Sequence, residues 1–481
     1  MKSSGPSWPV SLIPLVVLVT ILFFVIRLFG ADALAGGSQV ALLISTGVVI
    51  ALAMLVYRIP WTSIESAIAA NTRSIGTAVL ILLLIGAIAG SWMVSGIVPT
   101  LIYYGLKILS PKIFLLAVCL ICAVVSVMTG SSWTTIATIG VAFIGIGIAL
   151  GFPVGWTAGA IISGAYFGDK VSPLSDTTVL ASSVTETPLF THIRYMMITT
   201  VPSFTIACIV FLMVSIFHDP QDAVHAGEFS QAIKESFNVS PWLLVVPVLT
   251  GYLIYKKLPA ILTLMLAALM AGIAALIAQP QIVSSIGGGG ALDFASGFKG
   301  IFITYYGDTA VQTGNAALDD LMQTHGICGM LSTVFLILCA SAFGGAMTGS
   351  GMIQSITDVL TKRIRRRTPM VGSTALTGIF ANMVTGDQYL SIILTSNLYK
   401  DLYKENGYES RLLSRTTEDS TTVTSVLIPW NSCGMTQATV LKVATIDYLP
   451  YCIFNILSPV MSVLVASTGY KIVRAVKNSE E

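Results

Sequence analysis

The chain has 481 residues, of which 54% are hydrophobic and 10% charged, and a formal net charge of +2. Soluble domains carry about 25% charged residues, so a soluble globular protein is excluded, and the dispersed basic residues call for no nucleic-acid partner. What remains is a multi-pass membrane protein.

A helix needs about 20 apolar residues to span a bilayer, and such runs recur along the chain. The first is Val10–Phe29. Ala31-Asp32-Ala33 after it resembles a signal-peptidase site, but the run is longer than the ~7–15 residues of a signal peptide's apolar region, so a retained helix is expected. Val40–Val56, Thr77–Val94, Ile113–Met128, Ile193–Phe217, Trp242–Tyr255, Ala260–Ala278 and Ile327–Met347 follow, then Met370–Val384 and Tyr448–Thr468. Membrane-spanning strands alternate apolar and polar residues with period two. These runs do not, so the fold class is all-α. The longest polar segment, His218–Ser240, reads as an exposed loop with one interfacial helix. Lys256-Lys257 and the cluster Lys362, Arg363, Arg365, Arg366 and Arg367 mark the cytoplasmic side.

Seven cysteines and four histidines add no metal or redox chemistry. Cys119 and Cys122 have CxxC spacing but lie inside an apolar helix with no second pair, and an odd count without a framework argues against structural disulfides. No HExxH, GxSxG or paired-histidine motif suggests an enzyme.

Two stretches are written twice. Residues 86–101 around Gly90 match residues 341–356 around Gly345, an offset of 345 − 90 = 255. Both copies continue to a second match, Thr129-Gly130-Ser131-Ser132-Trp133 with Thr385-Gly386-Asp387-Gln388-Tyr389. Paired repeats in a membrane protein are the signature of a secondary transporter with its site between the copies. The glycine runs Gly140–Gly164 and Gly344–Gly351 read as close helix packing.

Ionisable residues that cannot reach water are the informative ones, since a charge at the bilayer centre costs about 2.5–3.5 kcal/mol on insertion scales. Most carboxylates here lie in polar loops or at helix ends. Two clusters do not. The first, Gly168-Asp169-Lys170-Val171-Ser172-Pro173-Leu174-Ser175-Asp176-Thr177-Thr178, is expected to break the preceding helix at Gly168 and Pro173. Non-helical backbone at membrane depth lines a cavity or is buried in protein, and Asp169, Asp176, Thr177 and Thr178 offer the oxygen that a small hard cation requires. The second is Glu418-Asp419-Ser420-Thr421-Thr422, followed by Ile428-Pro429-Trp430-Asn431-Ser432. Thr177-Thr178-Val179 matches Thr421-Thr422-Val423 at 421 − 177 = 244, which implies about ten residues fewer in the second copy (255 − 244 = 11). Lys170 reads as a partner of Asp169 or Asp176 that holds the loop together, with a substrate carboxylate as the other reading.

The Thr-Gly pair supplies a third site. Glycine and hydroxyls at a junction between apolar helices suit a helix break whose termini point inward. Asp387 stands where the first copy has Ser131, so only the second copy carries a carboxylate there. Burial favours the protonated carboxyl and a bound cation the ionised one, so competition between H⁺ and Na⁺ for one carboxylate is a complete exchange chemistry. An N-cap on the following helix is the structural reading of Asp387.

The runs Gly168–Ser183 and Thr129–Gly140, with Glu418-Asp419-Ser420-Thr421-Thr422 and Ile428-Pro429-Trp430-Asn431-Ser432-Cys433-Gly434, resemble the NhaC-type sodium/proton antiporters of the ion transporter superfamily. The likeness covers roughly Ile75 to Ala466. It implies two inverted structural repeats with broken helices or re-entrant hairpins, a scaffold and a mobile transport domain, elevator-type alternating access, and a homodimer in the plasma membrane. The organisation expected is 1–74 N-terminal helices and amphipathic linker, 75–217 first repeat, 218–326 loop and connecting helices, 327–470 second repeat, and 471–481 tail. The function expected is exchange of sodium for protons. The ion-binding residues expected are Ser131, Asp169, Asp176, Thr177, Thr178, Asp387, Glu418, Asp419, Thr421 and Asn431, with sodium held by Asp176, Asp387 and Asp419. Sodium and protons are cargo, and no resident cofactor is expected. The same likeness extends to exchangers that couple sodium and protons to small carboxylates or amino acids.

Overall fold

The computed structural model describes residues 5–29, 36–218, 225–256, 258–361, 364 and 366–472. Ala31-Asp32-Ala33, Lys257, Lys362, Arg363, Arg365 and the tail beyond residue 472 lie outside the described residues. Those described are almost entirely helical, and their one extended pairing is a bridge between Thr309 and Thr324. Among the described residues, eight helices are long and apolar enough to cross a bilayer, or ten if two bent pairs each count as one span. Nine of the ten runs expected from the sequence fall on these spans. Met370–Val384 lies on a nineteen-residue helix, Arg367–Thr385, that is too polar to be counted among them. Ser132–Ala149, absent from the expectation, is a further span and the most enclosed, with 83% of it buried. The polar segment after His218 contains the helix His225–Ser236, whose Phe229 and Ile233 are buried, as is Phe237 just after it. A 93° bend follows it.

The duplication is visible in the backbone. Gly76–Val94 is answered by Leu331–Gly349 at 331 − 76 = 255. Beyond these helices the offset is 256 and holds to the end. Gly130 and Gly386 both have φ of 66°, and Ser131 and Asp387 are both extended N-caps. Gly151 answers Gly407, and Glu186 answers Lys442, with every one of these four residues in the left-handed region. The eighteen-residue helix Val154–Val171 is matched by continuous helix over 410–427. The breaks at 172–175 and 428–431 then end in the N-caps Ser175 and Asn431.

This constant register corrects two expectations. Thr177-Thr178 is not the counterpart of Thr421-Thr422, and no residues are missing from the second copy. Thr177 lies in the first turn of the helix Asp176–Val184, whereas Thr421 sits in a π turn, Glu418–Thr422, inside 410–427. At offset 256 Asp176 corresponds to Ser432 and Ser175 to Asn431. The first helix also does not break at Gly168 but runs on to Val171. A Cβ on Gly168 would sit 2.4 Å from the carbonyl oxygen of Ala123, and one on Gly164 2.1 Å from that of Cys119. These glycines let the helix lie directly on Phe114–Thr129.

Packing around the second copy follows the same rule. Gly345 and Gly349 lie against the backbone of the amphipathic helix Trp61–Ser74, and Gly344 against that of Thr385. A side chain at any of the three would push the helices apart.

Candidate ion site

The expected site residues fall into three groups. The first lines a cavity of about 590 Å³. Ser131, Asp169, Asp176 and Thr177 contribute to its wall, together with Thr134, Gln388 and Tyr389, which sequence reasoning did not single out. Asp169 is buried, and its Oδ2 accepts hydrogen bonds from the backbone N–H of Ser132 (3.1 Å) and from its hydroxyl (2.7 Å). Ser131 accepts from the N–H of Thr134 at 3.2 Å, which fixes its hydroxyl at the start of the Ser132–Ala149 span. Asp176 stands at the first turn of its helix and is exposed. Trp133 lines the same cavity, and its buried indole N–H has no partner. The aligned N–H groups of two helix starts therefore meet carboxylates and hydroxyls in one space.

The second group surrounds Asp387, where two unwound stretches of the second copy face each other. Asp387 is the N-cap, accepting from the N–H of Leu390 at 3.0 Å through Oδ1. Its Oδ2 accepts from the hydroxyl of Ser432 at 3.3 Å. The N–H of Ser432 in turn donates to the carbonyl of Gly386 at 2.8 Å. Asn431 caps its own helix through the N–H of Cys433 and donates to the carbonyl of Asn382 at 3.1 Å. Asp387 is 3% exposed. The cap and the site readings of this residue are compatible, because capping uses one carboxylate oxygen and leaves the other to Ser432. Tyr389 lines the cavity and lies within electrostatic reach of Asp169, Asp176 and Asp387.

The third group is an ion-pair centre. Lys170 and Asp419 are both fully buried and form a salt bridge. Lys170 also donates to the hydroxyl of Ser458 at 2.9 Å, and Thr199 donates to Asp419 Oδ1 at 3.1 Å. Arg415, equally buried, places Nε 3.9 Å from Asp419 Oδ2 and stacks on Tyr195 at 4.7 Å. This corrects one assignment. The partner of Lys170 is Asp419, not Asp169 or Asp176, because neighbouring residues on an α-helix point about 100° apart. Asp169 thus faces the cavity and Lys170 the opposite copy. Asp419 Oδ1 takes that ammonium and the hydroxyls of Thr199 and Ser458, while its Oδ2 makes no hydrogen bond. Glu418 connects this centre to the first group, its Oε1 accepting from Thr177 at 3.2 Å.

Thr178 and Thr421 line no part of the cavity. Thr178 donates to the carbonyl of Lys170 at 3.0 Å, and Thr421 to that of Thr417 at 2.6 Å. Among the described residues no three Asp, Glu, His or Cys side chains converge to hold a metal ion. Asp176, Asp387 and Asp419 lie in three different groups: the open cavity, the contact with Ser432 and the pair with Lys170. A cation entering the cavity would meet the carboxylates of Asp169 and Asp176 with hydroxyl and amide oxygens, the oxygen donors that hard cations take.

Residues 164–470 match the Na⁺/H⁺ antiporter family. The chain is 36% identical over 420 residues to the Na⁺/H⁺ antiporter NhaC of Bacillus subtilis, covering 87% of this chain and 90% of that protein. It is 37% identical over 412 residues to NhaC of Alkalihalophilus pseudofirmus, covering 86% of each. It is also 35% identical over 394 residues to a malate-2H⁺/Na⁺-lactate antiporter of Bacillus subtilis, covering 82% of this chain and 81% of that one. By both the matched residues and these identities, the chain belongs to the Na⁺/H⁺ antiporter family.

Proposed function

We propose that this protein exchanges sodium for protons across the plasma membrane as a secondary transporter. One observation carries the reading. At equivalent positions the two copies exchange a hydroxyl for a carboxylate, Ser131 for Asp387 and Asp176 for Ser432, both at offset 256. Each copy thus brings one carboxylate and one hydroxyl to a break between helices. In the first copy both groups line the open cavity. In the second they are buried and in contact.

Sodium enters at the first pair, where Asp176 and Ser131 are joined by Asp169 and Thr177. Asp387 with Ser432 is the occluded carboxyl that exchanges a proton. The two copies are related by inversion across the membrane, so exposing one pair to each side in turn is alternating access. The breaks at 130–131, 172–175, 386–387 and 428–431 belong to the moving part. The Trp8–Phe29, Gly37–Val56 and Trp61–Ser74 helices belong to the scaffold, which is also where a second copy pairs in a homodimer. If unequal charges move, the membrane potential contributes about 2.3 kcal/mol per charge per 100 mV.

The test is flux in proteoliposomes containing the purified protein. An imposed sodium gradient should drive proton movement with no other solute present. Absence of proton movement until malate or lactate is added would replace this reading with carboxylate exchange. That second reading has its own support in Arg415, a buried guanidinium whose nitrogens make no hydrogen bond.

A further inference from the structure

The cavity at the first group of site residues, about 590 Å³, has two unlike sides. Ala78 and Ile81 of the Gly76–Val94 helix, with Ile254 and Leu258 ahead of Ala260–Ala278, make one side apolar. Asp169, Asp176, Ser131 and Thr177 give the other its carboxylates and hydroxyls. Among the described residues of its wall there is no lysine, arginine or histidine, and Lys170, next to Asp169 in the chain, is paired with Asp419. Asp169 is already met by the N–H and the hydroxyl of Ser132. Asp176 is not so met: it is exposed and makes no hydrogen bond or ion pair with any described residue.

The volume falls within the range of pockets that take small organic ligands, about 300–1,000 Å³. A hydrated sodium ion gains nothing from the apolar side. A carboxylate would meet two like charges and no base. A primary ammonium ion on an apolar body uses both sides. Its three N–H donors match acceptors in the carboxylate of Asp176 and the hydroxyls of Ser131 and Thr177, and its body leaves water against Ala78, Ile81, Ile254 and Leu258. Tyr389 adds to the wall an aromatic ring, which attracts a cation. We infer that this cavity binds a primary ammonium ion carrying a small aryl or alkyl body, with its nitrogen at Asp176, and that it does so in place of sodium. This rests on the proposed entry of sodium at Asp176. Choline has neither N–H donors nor an apolar body and is not taken.

The probe is benzylammonium chloride, added to the purified full-length protein in choline chloride at neutral pH. Benzyl alcohol, phenylacetate and methylammonium are its uncharged, anionic and bodiless counterparts. Thermal unfolding should show saturable stabilisation by benzylammonium and none by benzyl alcohol or phenylacetate at the same concentration. Methylammonium should bind about tenfold more weakly, because it leaves the apolar side unfilled. Asp176→Asn should fold normally, since the side chain has no partner to lose. It should weaken benzylammonium binding about ten- to a hundredfold, the worth of a hydrogen bond to a charged group. Sodium should raise the benzylammonium concentration for half-maximal stabilisation in proportion to its own concentration. The inference is overturned if no saturable response exists, if the alcohol or phenylacetate acts like benzylammonium, or if methylammonium binds as well. It is equally overturned if Asp176→Asn responds like wild type, or if sodium and benzylammonium stabilise additively. In any of those cases, sodium stabilisation that Asp176→Asn weakens leaves the proposed exchange standing. Sodium stabilisation unchanged in Asp176→Asn would instead overturn both the entry of sodium here and the competition with it.

Discussion

Asp419→Asn separates a structural ion pair from an ion ligand. In the wild type the Oδ1 of Asp419 faces Lys170, Thr199 at 3.1 Å and Ser458 at 3.4 Å, and both charged side chains are fully buried. The amide keeps the volume and one acceptor but removes the charge, which leaves the Lys170 ammonium buried and uncompensated, with Arg415 also close by. Removing one partner of a buried pair costs about 3–5 kcal/mol, against a total stability of about 5–15 kcal/mol for a folded domain. Asp419→Asn should therefore unfold at markedly lower temperature in detergent. Lys170→Met with Asp419→Leu removes both charges, and replacing a buried pair with apolar groups is often neutral or stabilising. The double variant should recover most of the lost stability. Intrinsic-fluorescence melting of the four proteins of this cycle reads the coupling directly. Sodium-driven proton flux in the folded fraction of Asp419→Asn should keep its sodium dependence. A variant with wild-type melting and a raised sodium requirement would refute the reasoning, because Asp419 would then be holding the ion after all.

Asp387→Asn should fold normally, since asparagine is an equally good N-cap, and should lose sodium-driven proton flux. Wild-type flux in that variant would take Asp387 out of the exchange. Gly130→Ala should destabilise the protein, because the residue has φ of 66° and a Cβ would lie 2.7 Å from the backbone of Leu174. Ala at a left-handed position and a forced shift of the break at 172–175 together should lower the melting temperature by several degrees, and an unchanged melt would show that the break is not packed as described. Sodium binding should itself stabilise the protein, by about 2.7 kcal/mol at a hundred times its dissociation constant. Melting in sodium, lithium and choline chloride checks this, and stabilisation by lactate or malate instead would favour the carboxylate reading.

The helices and their order were legible in the sequence because length and apolarity are local properties. The Thr-Gly junctions were legible for the same reason: a glycine between hydroxyls at the meeting of two apolar runs has few other uses, and Gly130 and Gly386 share one backbone conformation. The register between the copies was not. Identical letters in Thr177-Thr178-Val179 and Thr421-Thr422-Val423 outweighed a helix-length match that only geometry displays, since 154–171 and 410–427 share no residue at matched positions. The Lys170–Asp419 pair was hidden for a different reason. It spans 249 residues, and its choice over Asp169 depends on a rotation of about 100° around a helix that the sequence expectation had broken too early. Gln388 and Tyr389 escaped notice because they follow Asp387 on a helix assigned to the second copy, while their side chains line the cavity of the first.

That last contact bears on how the two copies act as one machine. The wall of the first-copy cavity includes residues 388 and 389, which directly follow the second-copy carboxylate. At offset 256 the counterparts of Gln388 and Tyr389 are Ser132 and Trp133. Ser132 donates to Asp169, as Gln388 meets Ser425 at 3.4 Å. In the proposed exchange, a cation at Asp176 and a proton at Asp387 would be separated by one helix start, Gln388-Tyr389. On that proposal, movement of this helix start would change the surroundings of both carboxylates together, which is the coupling that exchange of one ion for another demands.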